Sequence, residues 1–360
     1  MYDDDWLRQL CGQVGELDAG ALGDALQRQD RLTKPRGALG ELERVSAQLA
    51  GISGLCPPPA PARPAVVVFA GDHGVHAQGV SPWPQEVTAQ MLTTVLAGGA
   101  AVSVLADEVG AELWVVDVGV SVDLDPHPQL RDCKVAHGTR DLSAEPAMTI
   151  EQAMSALAVG AELAVELAED GNDLLVTGDM GIANTTPSAA LIAALTGSAA
   201  AEVTGRGTGI DDETWRTKVG VVERALAMHQ VDRAHPLEAA AAVGGLEHLA
   251  LAGFILGGAS VRVPVLLDGV ISGSAALLAQ ALAPRAIDFC IAGHRSAEPG
   301  HAIALEWLGL TPLLDLGMRL GEGSGALLAL PVVRSAARLL QDMATFDSAG
   351  VTDKAAPATG

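Results

Sequence analysis

The chain has 360 residues, of which 49% are hydrophobic and only 3% aromatic, and its formal charge is −22. That length suits one large domain, or a large and a small one, with ample apolar material for a core. So acidic a surface repels a nucleic-acid backbone, which excludes nucleic acid as a partner. The four cysteines (Cys11, Cys56, Cys133 and Cys290) form no CxxC pair. They read as reduced thiols of a cytoplasmic protein. The acidic start, Tyr2 to Asp5, lacks the basic and apolar regions of a signal peptide. The run Leu249 to Val261 is too short to span a bilayer, so no membrane span is expected.

Residues 1–60 show helical periodicity without a clear strand, and are expected to contribute to a small helical domain. Asp18 is placed to cap one helix, and Gly37 to Gly40 opens another. The segment Cys56-Pro57-Pro58-Pro59-Ala60-Pro61 is a stiff, extended boundary, because proline fixes φ and disfavours helix before it.

From residue 61 a pattern repeats: an apolar run, a glycine-containing polar turn, then a helix. The runs are Ala65 to Ala70, Leu113 to Val116, Leu174 to Thr177, Val263 to Leu267 and Ile287 to Ile291. Unalternated runs separated by helix-length segments predict a Rossmann-like α/β fold, a parallel sheet in the middle of three layers. Helices are expected over Pro84 to Leu96, Thr149 to Glu169 behind a Thr149–Gln152 capping box, Asp211 to His229, Leu237 to Ile255 and Gly323 to Met343. The expected partition is an α/β domain over 61–322, a C-terminal helix over 323–346 that joins the small domain, and a disordered tail over 347–360.

Each of the five runs leads into a turn that combines glycine with Asp, His or Ser. Such residues stand at carboxyl ends of strands, where open α/β sheets bind ligands. The stretch Gly178 to Pro187 leads from a strand into a helix whose free amides suit a phosphate. Gly205-Arg206-Gly207-Thr208-Gly209 is a second glycine loop, followed by a helix with Lys218. Lys218 is either a phosphate partner or a solvated lysine. Neither GxGxxG nor a GxxxxGK(S/T) loop occurs, which argues against a dinucleotide enzyme. Asp72-His73-x-x-His76 and His294-x-x-x-Glu298-x-x-His301 lie on glycine turns rather than at metal-ligand spacing on one helix, and read better as hydrogen-bonded rim residues. In Leu320-Gly321-Glu322-Gly323-Ser324-Gly325 one carboxylate stands between glycines, either as a desolvated general base or as an acid at a helix start.

Taken in order, these motifs resemble the nicotinate-nucleotide–dimethylbenzimidazole phosphoribosyltransferase family. The resemblance runs through Leu32-Thr33-Lys34-Pro35-Arg36-Gly37, Ala70-Gly71-Asp72-His73-Gly74, Gly79-Val80-Ser81 and Gly178 to Thr186. It continues through Gly244-Gly245-Leu246-Glu247, Leu266-Leu267-Asp268-Gly269, His294 to Glu298 and Met318 to Gly325. It implies a small helical domain built from both chain ends, and a homodimer. It also implies transfer of phosphoribose from nicotinate mononucleotide to 5,6-dimethylbenzimidazole, with no cofactor. By position, Glu322 falls on the family's general base. Gly181, Asn184, Thr185, Thr186, Gly207, Thr208, Gly209, Lys218 and Ser296 fall where the nucleotide is held. Leu320 and the Ser81 to Met91 segment, with Ser81, Gln90 and Met91 in it, fall at the benzimidazole. Asp179 stands where some members have Glu, which retracts its carboxylate by one methylene from any secondary acid–base role. Transfer to another acceptor base, and non-catalytic binding of a nucleotide or azole, are the alternatives.

Overall fold

A computed structural model describes residues 2–231 and 233–352. Helices α1 (Asp4–Gln13), α2 (Ala19–Arg31) and α3 (Glu41–Ser53) precede strand β1 (Pro64–Gly71). Helices α4 (Val87–Leu96) and α5 (Ala101–Val109) lead to β2 (Glu112–Gly119), β3 (Leu130–Asp132) and α6 (Ile150–Glu169). Next come β4 (Leu174–Met180), α7 (Thr185–Thr196), α8 (Ala200–Val203), α9 (Asp212–His229), α10 (Pro236–Val243) and α11 (Leu246–Ser260). The chain closes with β5 (Val265–Leu267), α12 (Val270–Leu282), β6 (Cys290–Ala292), α13 (Pro299–Leu308), α14 (Ser324–Asp342) and α15 (Phe346–Ala349).

Among the described residues six strands form one sheet in the order β3-β2-β1-β4-β5-β6, and every pairing is parallel. β1 is buried along its whole length, as a central strand covered on both faces must be. α11 is buried from Leu246 to Ala259 and packs against both the sheet and α6, while α4, α5 and α12 also meet strands. The strand order reverses between β1 and β4, and carboxyl ends on either side of that reversal leave a crevice for ligand.

Contacts divide the chain into two units. The larger holds Met1–Gly15 and Ala62–Leu330, and the smaller holds Glu16–Pro61 with the segment from Pro331. The first helix therefore goes with the sheet, not with the small unit as its periodicity implied; its Leu10 is buried and α1 contacts α11. Within the small unit Ala21, Ala25, Leu32, Ala47, Ala50 and Leu340 form a core. Arg28 donates from Nε to the Leu340 carbonyl at 2.6 Å, satisfying a carbonyl near the end of α14.

Other elements also differ from the sequence reading. The expected helix 237–255 is two helices, α10 and α11, broken at Gly244 and Gly245. The run Ile287 to Ile291 is strand only from Cys290, because Pro284–Phe289 makes a 3-10 turn. The expected tail begins with a short helix, α15, capped by the side chain of Thr345; residues 353–360 lie outside the described residues. Finally, Val87–Val109 is long and apolar enough by composition to cross a membrane. It folds as two short helices, α4 and α5, parted at Gly98 with φ +79°.

Candidate active site

The loops after β1, β4, β5 and β6 line a cavity of about 430 Å³. Twelve of the residues singled out in the sequence lie on its wall: Ser81, Met91, Asp179, Gly181, Asn184 and Thr185, then Gly207, Thr208, Lys218, Ser296, Leu320 and Glu322. Gln90 is exposed on α4, Thr186 is fully buried one residue inside α7, and Gly209 lies past the lining part of its loop; none of the three is on the wall.

Glu322 is held by backbone geometry that its own sequence only hints at. Gly321, Glu322 and Gly323 take φ of +84°, +66° and +92°, so three successive residues are left-handed. Glycine does so freely, whereas a residue with a Cβ costs about 1–2 kcal/mol there. The loop is pressed on β4: a Cβ at Gly178 would stand 2.6 Å from the Glu322 carbonyl oxygen. Asp268, at the end of β5 and fully buried, fixes the far side. Its carboxylate accepts from the amides of Gly323 (3.2 Å) and Ala326 (2.9 Å), the opening of α14. The His294 Nε2 lies 3.4 Å from the same carboxylate.

The Glu322 side chain is buried and its Oε2 has no hydrogen-bond partner. Burial raises its pKa above the ordinary carboxylate value; the Val102 amide opposes this and the Asp268 charge adds to it. Asp179 also reaches the cavity. Asn184 donates from Nδ2 to its Oδ2 at 2.9 Å, while Oδ1 is unpartnered. Its pKa is raised further, well above the usual range, by burial first and then by the charges of Asp268, Glu247 and Glu322.

Another part of the wall starts at α7. Asn184 is its N-cap but makes no capping hydrogen bond, since its amide is turned to Asp179. The Thr186 amide donates to the Ala183 carbonyl and residue 187 is proline, so this helix start offers an anion the Thr185 amide and a partial positive charge. Lys218, from α9, is 1% exposed and donates from Nζ to Thr185 Oγ1 at 2.7 Å. Burial lowers its pKa to about 8, with the Glu298 charge opposing. Beneath this wall His73 and His248 meet the Glu247 carboxylate at 2.9 Å and 2.8 Å, all three fully buried. Although desolvation pushes the other way, the two histidines hold Glu247 well below the carboxylate range, and Glu247 raises His73.

In the histidine-rich turns some groups make ordinary hydrogen bonds, while both ring nitrogens of His294 and the His301 Nε2 have no hydrogen-bond partner. His76 Nε2 faces the Trp83 carbonyl at 2.8 Å, and Asp72 accepts from Thr88 Oγ1 at 2.7 Å. The His301 Nδ1 accepts from the Ser296 amide at 2.9 Å, and burial lowers its pKa to about 3. Trp83 and Val87, also on the wall, belong to the Ser81 to Met91 segment that the resemblance sets at the ring, whereas Arg206 and Arg319 were not singled out as site residues. The arginines had a local signal, being charged residues close to glycine turns.

A doubly wound parallel sheet with buried carboxylates, an uncapped helix start and a buried lysine around one switch-point cavity describes a nucleotide-handling α/β enzyme. A family model described as Phosphoribosyltransferase (DBI_PRT) matches residues 14–351. The chain is 56% identical over 362 residues to the nicotinate-nucleotide–dimethylbenzimidazole phosphoribosyltransferase of Salinispora tropica, covering 97% of this chain and 100% of the relative. The Chloroflexus aggregans enzyme of the same name is 54% identical over 348 residues, covering 97% and 98%. The crystal structure of the Thermus thermophilus enzyme of that name superposes with a TM-score of 0.89 at 48% identity, covering 94% of this chain and 100% of that one. A structure of CobT from the same organism gives 0.90 at 49%, covering 93% and 100%. The chain belongs to the nicotinate-nucleotide–dimethylbenzimidazole phosphoribosyltransferase family, and is a phosphoribosyltransferase.

Proposed function

We propose that this enzyme transfers phosphoribose from nicotinate mononucleotide to 5,6-dimethylbenzimidazole, giving nicotinate and α-ribazole 5′-phosphate. The observation that carries the reading is a single cavity lined both by Lys218 beside an uncapped helix start and by Glu322 with an unpartnered, desolvated carboxylate oxygen. The phosphate lies against the start of α7, with Lys218, Thr185 and the Gly207–Thr208 backbone around it. Ser81, Met91 and Leu320 flank the benzimidazole ring.

Nicotinate is a good leaving group, since its cationic ring nitrogen becomes neutral as the glycosidic bond breaks. One benzimidazole nitrogen attacks C1′ on the face away from nicotinate, which converts a β-linkage to an α-linkage. The other nitrogen loses its proton to Glu322, whose raised pKa brings it nearer to the working pH. Asp179, shifted further toward its neutral form, is the weaker candidate for the base and donates a hydrogen bond instead. Holding both substrates in line lowers the barrier beyond proton transfer.

The protein works as a cytoplasmic homodimer. The free cysteines fit a reducing compartment. Exposed Trp83 and Leu320, both on the cavity wall, offer apolar area to a second copy. Incubation with nicotinate mononucleotide and 5,6-dimethylbenzimidazole, followed by chromatography, tests the reading: release of nicotinate must match formation of α-ribazole 5′-phosphate. Hydrolysis to ribose 5-phosphate without a base adduct would refute it.

A further inference from the structure

The turn between β6 and α13 brings a carboxylate to the cavity wall that the chemistry above does not use. Glu298 is 5% exposed, and its Oε1 accepts a hydrogen bond from the Gly207 amide at 2.7 Å. Its Oε2 fills the space beside Gly205, where a Cβ would stand 2.0 Å from that oxygen. Glycine at 205 thus makes room for the carboxylate, and the loop 205–209 closes over it. Lys218 reaches the same loop, with Nζ 3.4 Å from the Gly205 carbonyl oxygen as well as bonded to Thr185.

A carboxylate on the wall of a phosphate site repels the ligand unless its charge serves another group. The surroundings of Lys218 identify that group. From α7 it meets the Thr185 hydroxyl, and from the loop a carbonyl, both neutral. Arg206 is turned away to the Ile210 carbonyl and to Asp212, and Arg319 donates to the Gly207 carbonyl at 2.5 Å. Glu298 is the acid whose charge opposes the loss of the lysine's proton on burial.

We propose that Glu298 is a positioning residue of the nucleotide site: it ties the 205–209 loop to the β6–α13 turn and acts as the countercharge that keeps Lys218 an ammonium when phosphate arrives. The inference rests on the reading of Lys218 as a phosphate ligand. It assigns Glu298 no contact with the reacting atoms.

The test is the KM for nicotinate mononucleotide between about pH 6.5 and 9.0 in the wild type, Glu298→Gln, Glu298→Ala and Lys218→Met. In the wild type KM rises as pH passes about 8, where Lys218 loses its proton. Glu298→Gln keeps an oxygen for the Gly207 amide but removes the charge. Loss of a countercharge that meets the same loop lowers the lysine pKa; a shift of about one unit puts KM about eightfold above the wild type at about pH 8.5 and less than about twofold above it at about pH 6.5. Glu298→Ala also loses the tie to Gly207 and raises KM at both pH values; if it fails to fold, the Gln profile decides alone. A Glu298→Gln profile that overlays the wild type, or one raised equally at both pH values, overturns the proposal. Lys218→Met with an unchanged KM overturns instead the phosphate reading on which the proposal stands, and the proposal with it.

Discussion

Replacing Glu322 with glutamine separates chemistry from architecture. The side chain is nearly isosteric, so the left-handed loop, the Asp268 hydrogen bonds to Gly323 and Ala326 and the cavity shape should all persist. What disappears is the oxygen able to take a proton. A positioned general base is worth ~10² to 10⁴ in rate, about 3 to 5 kcal/mol of barrier. Turnover should therefore fall by that factor while both KM values stay within about threefold, since the lost interaction is made in the transition state. Stability should not fall: the wild-type carboxylate is desolvated with an unpartnered Oε2, and an amide is cheaper to bury there. Steady-state kinetics on both substrates, with a thermal melt alongside, read all three quantities. Turnover within about threefold of the wild type would refute the assignment of Glu322 as base, because no effect of ~10² would then be missing.

Wild-type turnover should fall as pH drops through the Glu322 pKa, which lies above 4.5, because only the ionised form accepts a proton; a pH–rate profile flat to below pH 4.5 would contradict this. Asp268→Asn should move that acidic limb to lower pH, since one of the charges raising the Glu322 pKa is gone, and the same pH profile reads it directly. Gly178→Ala should reduce kcat with the fold intact, because the new Cβ would stand 2.6 Å from the Glu322 carbonyl; circular dichroism and kinetics together check it. His73→Ala removes one partner of a fully buried ion pair, a change that typically costs about 3–5 kcal/mol, measurable by denaturant unfolding.

Much of the fold is legible because its signals are local. Continuous apolar runs such as Ala65 to Ala70 suit strands covered on both faces, and the Thr149–Gln152 capping box fixes the start of α6. β3 escaped because Leu130–Asp132 is three residues long and mostly charged. The break between α10 and α11 has a tertiary cause: a Cβ at Gly245 would lie 2.5 Å from both Glu247 Oε2 and His73 Cε1, and His73 is far away in sequence. An apolar stretch with glycines inside reads as one helix without that knowledge.

The site divides in the same way. Gly178 to Thr185 announces itself as strand, turn and helix start, and the structure brings residues of that stretch to the wall with Lys218. The setting of Glu322 was not readable, because it depends on Asp268, which lies at the end of another strand and caps α14 from there. Glu298 stood out in the sequence as a rim residue of the His294 to His301 turn, but its role could not be read, because its bond to Gly207 joins segments 91 residues apart. Side chains whose purpose is to hold a distant loop leave no periodicity behind.

The most direct measurement of the proposed transfer is the anomeric configuration of its product. Nicotinate mononucleotide and 5,6-dimethylbenzimidazole are incubated with the enzyme, and the isolated nucleotide is examined by proton NMR at C1′. Attack opposite the leaving nicotinate predicts an α-linked benzimidazole ribotide, formed in step with nicotinate. A β-linked product, or nicotinate release without any linked base, would contradict it.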